Sequence, residues 1–176
     1  VDVSRGTTLE QNGARVYTVE HVLAALVGME IDNVLIQLDG PEPPIMDGSS
    51  IQFIEVLEDA GLEEQNALRR FFEVQESIQY KDTSREVEMV ALPTDNYRVT
   101  VMVDYNSPVL GSQHASITDI SQFKPEIASC RTFCFLHELE MLYNSNLIKG
   151  GDLNNAIVVV DRVVEKEELA HLAKMF

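Results

Sequence analysis

Basic residues are scarce in this chain: 13 Lys and Arg stand against 29 Asp and Glu, for a formal net charge of -16. Binding to a phosphate backbone is driven largely by Lys and Arg displacing counterions, so a nucleic-acid partner is excluded. The same deficit means that an anionic ligand needs local neutralisation by a metal, a helix N-terminus or a lysine. Cysteine is also sparse. Cys130 and Cys134 are the only two, too few for a disulfide framework, and they read as reduced thiols of a cytoplasmic chain. No apolar run approaches membrane-spanning length and no signal peptide opens the sequence, so a soluble protein is expected. What is present is a chain of 176 residues, 45% of them hydrophobic, enough to bury a core in one large domain or two small ones. It starts at Val1 rather than Met, and the helical pattern His171 to Phe176 stops without a cap. Both ends read as cut from a longer polypeptide.

Thr18-Val19-Glu20-His21, running into Val22 to Gly28, predicts a helix with two chemical groups in its first turn. Thr18 is the expected N-cap, and Glu20 sits where the helix dipole favours an acid. Val19, Val22, Leu23, Leu26 and Val27 recur at helical spacing as the expected buried face. His21 falls off that stripe, on a side shared with Ala25 and Gly28.

Ahead of this helix, Thr7 to Val16 reads as a strand end, a turn at Asn12-Gly13 and a short return. After it, Gly28 is the expected stop, Asp32-Asn33 a turn, and Val34 to Leu38 a strand. A proline-rich loop leads to Asp47-Gly48. Ser49 or Ser50 then caps a second helix that ends at Gly61, closing one α+β unit over residues 1–66. From residue 67 to 176 a second α+β unit is expected. It opens with strands over 70–79, 86–92 and 97–104, passes through a loop with a short strand over 106–122, and enters a helix from Pro125 or Ser129 to Asn144. Gly28 to Ile36 matches Gly150 to Val158 in residue character, each following a helix and leading into an apolar strand. This self-similarity points to two similarly built halves.

Three motifs in this order, Thr18 to His21, Pro43-Pro44-Ile45-Met46-Asp47-Gly48-Ser49 and Ser129-Cys130-Arg131-Thr132-Phe133, give the chain its resemblance to one family. Joined by the stretch Gly150 to Val158, they resemble the zinc-dependent UDP-3-O-acyl-N-acetylglucosamine deacetylases of lipid A biosynthesis over essentially the whole chain. The resemblance implies an α+β fold of two similar units with the helices sandwiched between two small sheets and the active site between the halves. It implies a cytoplasmic hydrolase of Gram-negative bacteria acting on a UDP-acyl-sugar, expected as a monomer, with Zn2+ as cofactor. By the same resemblance His21 is a zinc ligand, Glu20 the general base, and Thr132 the donor to the oxyanion of a tetrahedral intermediate. Phe133 contacts substrate, Thr7 and Thr8 line the entrance, and Leu147 and Ile148 border an acyl-chain passage. The family usually has Gly where Cys134 stands here.

The family's remaining zinc ligands lie on a His-Lys-x-x-Asp stretch. None of the four histidines, His21, His114, His137 and His171, is followed four residues later by Asp. The expectation is therefore a fragment, itself inactive, of a parent that carries the missing strands and ligands at either end and, in some members, a fused 3-hydroxyacyl-carrier-protein dehydratase.

Other readings compete. If Pro125 to Asn144 is one helix, Cys130, Cys134 and His137 share a face and, with His114, make a four-ligand thiolate zinc site. A non-catalytic nucleotide-sugar-binding module is a further alternative. Ser129 and Thr132 as helix caps, Met46 to Ser49 as a structural turn, and Leu147 and Ile148 as core are the plainer readings of those motifs. His114, His171 and the acidic run Glu165 to Glu168 read as solvated surface.

Overall fold

In a computed structural model describing residues 2–3, 5–145 and 151–174, the chain is a mixture of helices and small sheets, an α+β fold. Strands β1 (Leu9–Gln11) and β2 (Ala14–Val16) form an antiparallel hairpin. Asn12 and Gly13 both take positive φ, 53° and 81°, the backbone of a tight two-residue hairpin turn. This matches the reading from Asn12-Gly13. Helix α1 spans Glu20–Gly28 and α2 spans Ile51–Ala60. Two further antiparallel hairpins follow, β3 (Ile78–Asp82) with β4 (Val87–Ala91) and β5 (Val99–Asp104) with β6 (Ser112–Ile117). After a 3-10 turn at Ile120–Gln122 and a wide π-type turn at Phe123–Ile127, β7 (Phe133–Phe135) pairs in parallel with β8 (Ile157–Val159). Helix α3 (Leu139–Asn144) lies on the connection between them, and α4 (Lys166–Leu172) follows β8.

The main core forms where the two expected units meet. Ala25 of α1, Ile54 of α2 and Ala128 are essentially fully buried, and Met29, Ile51, Phe53, Leu57 and Phe123 pack around them. A second cluster joins Leu136, Leu139 and Leu172 to Cys134, Val158 and Val164.

Several local expectations are corrected. Thr18 is not the N-cap of α1: it takes φ 53°, and Val19 holds the cap position without a side-chain bond. The chain enters the helix through this left-handed residue, and the Val19 N–H is taken by the Thr7 carbonyl at 3.2 Å. The helix does end at Gly28, as expected, but Gly28 is not the left-handed residue of its stop. Glu30, at φ 55°, supplies the left-handed residue beyond its end, and the N–H groups of Glu30 and Ile31 bond back to the carbonyls of Val27 and Leu26. Gly28 is required for packing instead, because a Cβ there would stand 2.1 Å from Phe123 Cδ1.

The expected buried stripe holds at Val19 and Leu26 but not throughout. Ala25 and Leu26 are buried, whereas Leu23 and Val27 are 39% and 50% exposed. Those two side chains line an apolar groove of about 370 Å³ with Tyr97, Val101, Ile117 and Phe123.

Residues 34–38 and 70–77 are not strands. A strand exists by its ladder, and among the described residues no other strand pairs with either stretch. The repeat is therefore only half realised: Ile157 and Val158 find β7 as a partner, while Leu35 and Ile36 stay exposed.

The helix expected up to Asn144 is broken, and only Leu139–Asn144 is α-helical. The Thr132 N–H is given sideways to the Gly48 carbonyl at 2.7 Å and the Thr132 carbonyl accepts from Ile157 N–H at 3.0 Å, so neither serves an i to i−4 ladder. Cys134 lies in a strand, which removes the shared helix face required of Cys130, Cys134 and His137. The second helix fits the reading better: Gly61 ends it at φ 81°, and Ser49 Oγ, rather than Ser50, accepts from its first N–H at 3.2 Å.

Candidate active site

The first wall of the site is the start of α1. Glu20 is the helix's first residue and the acid of its first turn, favourably placed at the positive end of the dipole. Its Oε2 accepts the Thr7 backbone N–H at 2.8 Å, while Thr7 O accepts from Val19 N–H. Thr7 thus holds the helix start from both of its backbone groups, which orients the carboxylate, and among the described residues no hydrogen bond engages Oε1. A Cβ on Gly6 would lie 3.4 Å from that oxygen, so the segment before β1 runs directly past it. His21 follows, half-buried. Thr8 is tied to Asp2 by a reciprocal pair of backbone bonds at 2.7 and 3.0 Å.

The second wall is the lead into β7. Thr132 is pinned on both sides of its peptide backbone, to Gly48 and to Ile157. The Met46 to Ser49 motif is the partner on one side. Gly48 N–H bonds to the Ile45 carbonyl at 2.9 Å, and the Asp47 carboxylate accepts both the N–H and the hydroxyl of Ser49, at 3.1 and 2.7 Å. Asp47 is therefore spent on shaping the turn, in agreement with the structural reading of that motif. Gly48, at φ 83°, abuts Asn155 and Thr132 so closely that a side chain has no room.

Beyond Thr132 stands an aromatic group. Phe133, 38% exposed, meets Tyr105 edge-to-face with ring centroids 5.4 Å apart, and Phe135 likewise at 5.9 Å. Phe135 in turn stacks on His137 at 5.4 Å, whose Nδ1 lies 3.5 Å from Asp161 Oδ1. A partly exposed aromatic ring braced by two others suits contact with a flat or cyclic ligand.

The two walls meet through the core, since α1 contributes Ala25 and the stretch before Thr132 contributes Ala128 to one cluster. Among the described residues no hydrogen bond joins Glu20 or His21 directly to Thr132. Leu147 and Ile148 lie outside the described residues, as does Gly150. Sequence reasoning missed Arg131, whose guanidinium binds the carbonyls of Asp47 and Leu153, and Arg5, which pairs with Glu138. A lone Arg beside the key Thr in so acidic a chain was the available signal for the first. Nothing local marked the second.

A zinc site of catalytic type needs three protein ligands and an open position. His21 is suited to be one, with Glu20 beside it. Among the described residues no group of three His, Cys, Asp or Glu is gathered to hold a metal, so these residues alone do not make a complete site.

Comparison with known proteins supplies the class. Residues 1–173 match the family model described as LpxC, UDP-3-O-acyl N-acetylglycosamine deacetylase, and the chain belongs to that family. It is 49% identical over 174 residues to the bifunctional enzyme LpxC/FabZ of Chlorobaculum tepidum, covering 98% of this chain and 37% of that protein. A protein of the same name from Bacteroides thetaiotaomicron is 43% identical over 98% of this chain and 37% of its own length. The UDP-3-O-acyl-N-acetylglucosamine deacetylase of Nitratidesulfovibrio vulgaris is 42% identical over 88% of this chain and 50% of that protein. The chain thus spans between about a third and a half of these relatives. Among the described residues no helix is long and apolar enough to cross a membrane.

Proposed function

We propose that the protein to which this chain belongs removes the N-acetyl group of a UDP-linked, 3-O-acylated glucosamine by zinc-dependent hydrolysis, in the synthesis of lipid A. Family membership over nearly the whole chain, with the Glu20 carboxylate held by Thr7 at the start of α1, carries this reading. Bound zinc supplies a water acidic enough to act near neutral pH. His21 would contribute one ligand to that metal site.

Glu20, with Oε2 engaged by Thr7, takes a proton at Oε1 and returns it to the leaving amine. Thr132 donates its hydroxyl to the oxyanion of the tetrahedral intermediate. Phe133 offers its exposed ring to the substrate, Thr7 and Thr8 flank the entrance, and Leu147 and Ile148 border the acyl chain. The two halves, 1–66 and 67–176, bring their helices together between two sheets. The main core, in which Ala128 packs with Ala25 of α1 and Ile54 of α2, supports contact between the halves. The protein is a cytoplasmic monomer in this reading.

The names and coverage of the Chlorobaculum and Bacteroides relatives favour a second activity in the same polypeptide, a fused 3-hydroxyacyl-carrier-protein dehydratase. The test of the main reading is acetate release from the UDP-acyl-sugar by the full-length protein. One acetate per free amine, lost on chelation and restored by zinc, is the expected result. Retained hydrolysis in metal-free enzyme contradicts it.

A further inference from the structure

Arg131 stands where three segments distant in sequence converge. Its Nε donates to the Asp47 carbonyl at 2.8 Å and its Nη2 to the Leu153 carbonyl at 3.2 Å. The next residue, Thr132, gives its own N–H to Gly48 O at 2.7 Å, and its carbonyl receives Ile157 N–H at 3.0 Å. Thr132 is thus gripped by the turn at 45–48 and by the first residue of β8, and the Arg131 fork ties that same turn to the turn at 152–156 that leads directly into β8. The two turns touch each other as well, since the Asn155 carbonyl oxygen fills the space where a Gly48 side chain would be.

We infer that Arg131 is a positioning residue for the reaction: by bridging the Asp47 and Leu153 carbonyls it fixes the distance between the turn at 45–48 and the turn that leads into β8, and so sets where the Thr132 hydroxyl stands. This rests on the role proposed above for Thr132. The chemistry of the side chain fits the task. A planar guanidinium presents donors in a rigid fork and spans two fixed acceptors at once, whereas a lysine ammonium is a point donor on a flexible stem and satisfies one of them at a time. An error of a fraction of an ångström matters here, because a donor to a developing charge acts only within hydrogen-bond reach.

The test is a double-mutant cycle in the full-length enzyme with R131K, R131Q and T132V, reading kcat, KM and the thermal midpoint. T132V is expected to lower kcat about 100-fold. R131K is expected to lower kcat by about 10- to 100-fold with KM changed less than about threefold and the midpoint close to wild type. In the T132V background the same Arg131 substitution is expected to cost about twofold or less, since a residue acting through Thr132 has nothing left to position. A full, additive loss in the T132V background overturns the inference while leaving Thr132 its role. Wild-type kcat in T132V alone overturns the Thr132 reading and this inference with it. Unfolding of both R131K and R131Q also overturns it, because Arg131 is then a residue of the fold and not of the reaction.

Discussion

The backbone of Gly48 lies against that of Asn155 so closely that a Cβ on Gly48 would stand 2.0 Å from the Asn155 carbonyl oxygen. The contact joins the two motifs that flank Thr132, and it explains why the turn at 45–48 carries a glycine twice over: the site has no room, and φ is 83°. Gly48→Ala is expected to destabilise the protein by about 2–4 kcal/mol, combining overpacking against immovable backbone with a left-handed conformation. Urea titration of wild type and variant checks this, and an unchanged midpoint contradicts the contact.

A second expectation concerns acid. Glu138 bonds to Arg5 and also accepts Phe135 N–H at 3.1 Å. The hydrogen bond from Arg5 holds its carboxyl below the ordinary Glu range; burial pushes the other way, and the Phe135 N–H assists the lowering. A carboxylate with a depressed folded-state pKa stabilises the fold above its unfolded value, near 4.3, and that contribution is lost as pH falls through the folded value. Stability is therefore expected to decline below about pH 4.3 more steeply in wild type than in Glu138→Gln. Melting curves across that interval decide, and parallel declines contradict the pairing.

The thiols supply a third. Cys134 is half-buried, and its thiol is pushed up by burial and by the Glu138 carboxylate, opposed by Arg5; Cys130 is exposed. Iodoacetamide at pH 8 is expected to modify Cys130 well before Cys134, as peptide mass mapping would show. Since the strand at 133–135 separates the two from any shared helix face, Cys130→Ser and Cys134→Ser are expected to leave the zinc content of the full-length protein unchanged.

Much of this was legible in the residues. Asn12-Gly13 defined its hairpin because both positions require positive φ, and Thr18 to His21, Ile45 to Ser49 and Arg131 to Phe133 carried the resemblance to the family that the comparison bears out. The strand and helix errors share one cause. Whether Val34 to Leu38 is a strand, or Thr132 helical, depends on where lateral hydrogen-bond partners lie, and periodicity along one segment does not contain that. Thr132 has Gly48 and Ile157 beside it and so leaves the helix; among the described residues Leu35 has no strand beside it and forms none. Thr18 was read as a cap from its residue type, yet the chain needed a left-handed turn there more than a hydroxyl. Arg131 went unread because its acceptors are backbone carbonyls, which carry no sequence signature.

The central claim is the division of labour between Glu20 and His21, adjacent in the first turn of α1. The measurement that tests it most directly is zinc content and acetate release, side by side, for full-length wild type, Glu20→Ala and His21→Ala. Glu20→Ala is expected to retain about one zinc per chain while losing roughly 100- to 10,000-fold in turnover, the range for a general base. His21→Ala is expected to lose both. Wild-type turnover in Glu20→Ala, or full zinc occupancy in His21→Ala, contradicts the account.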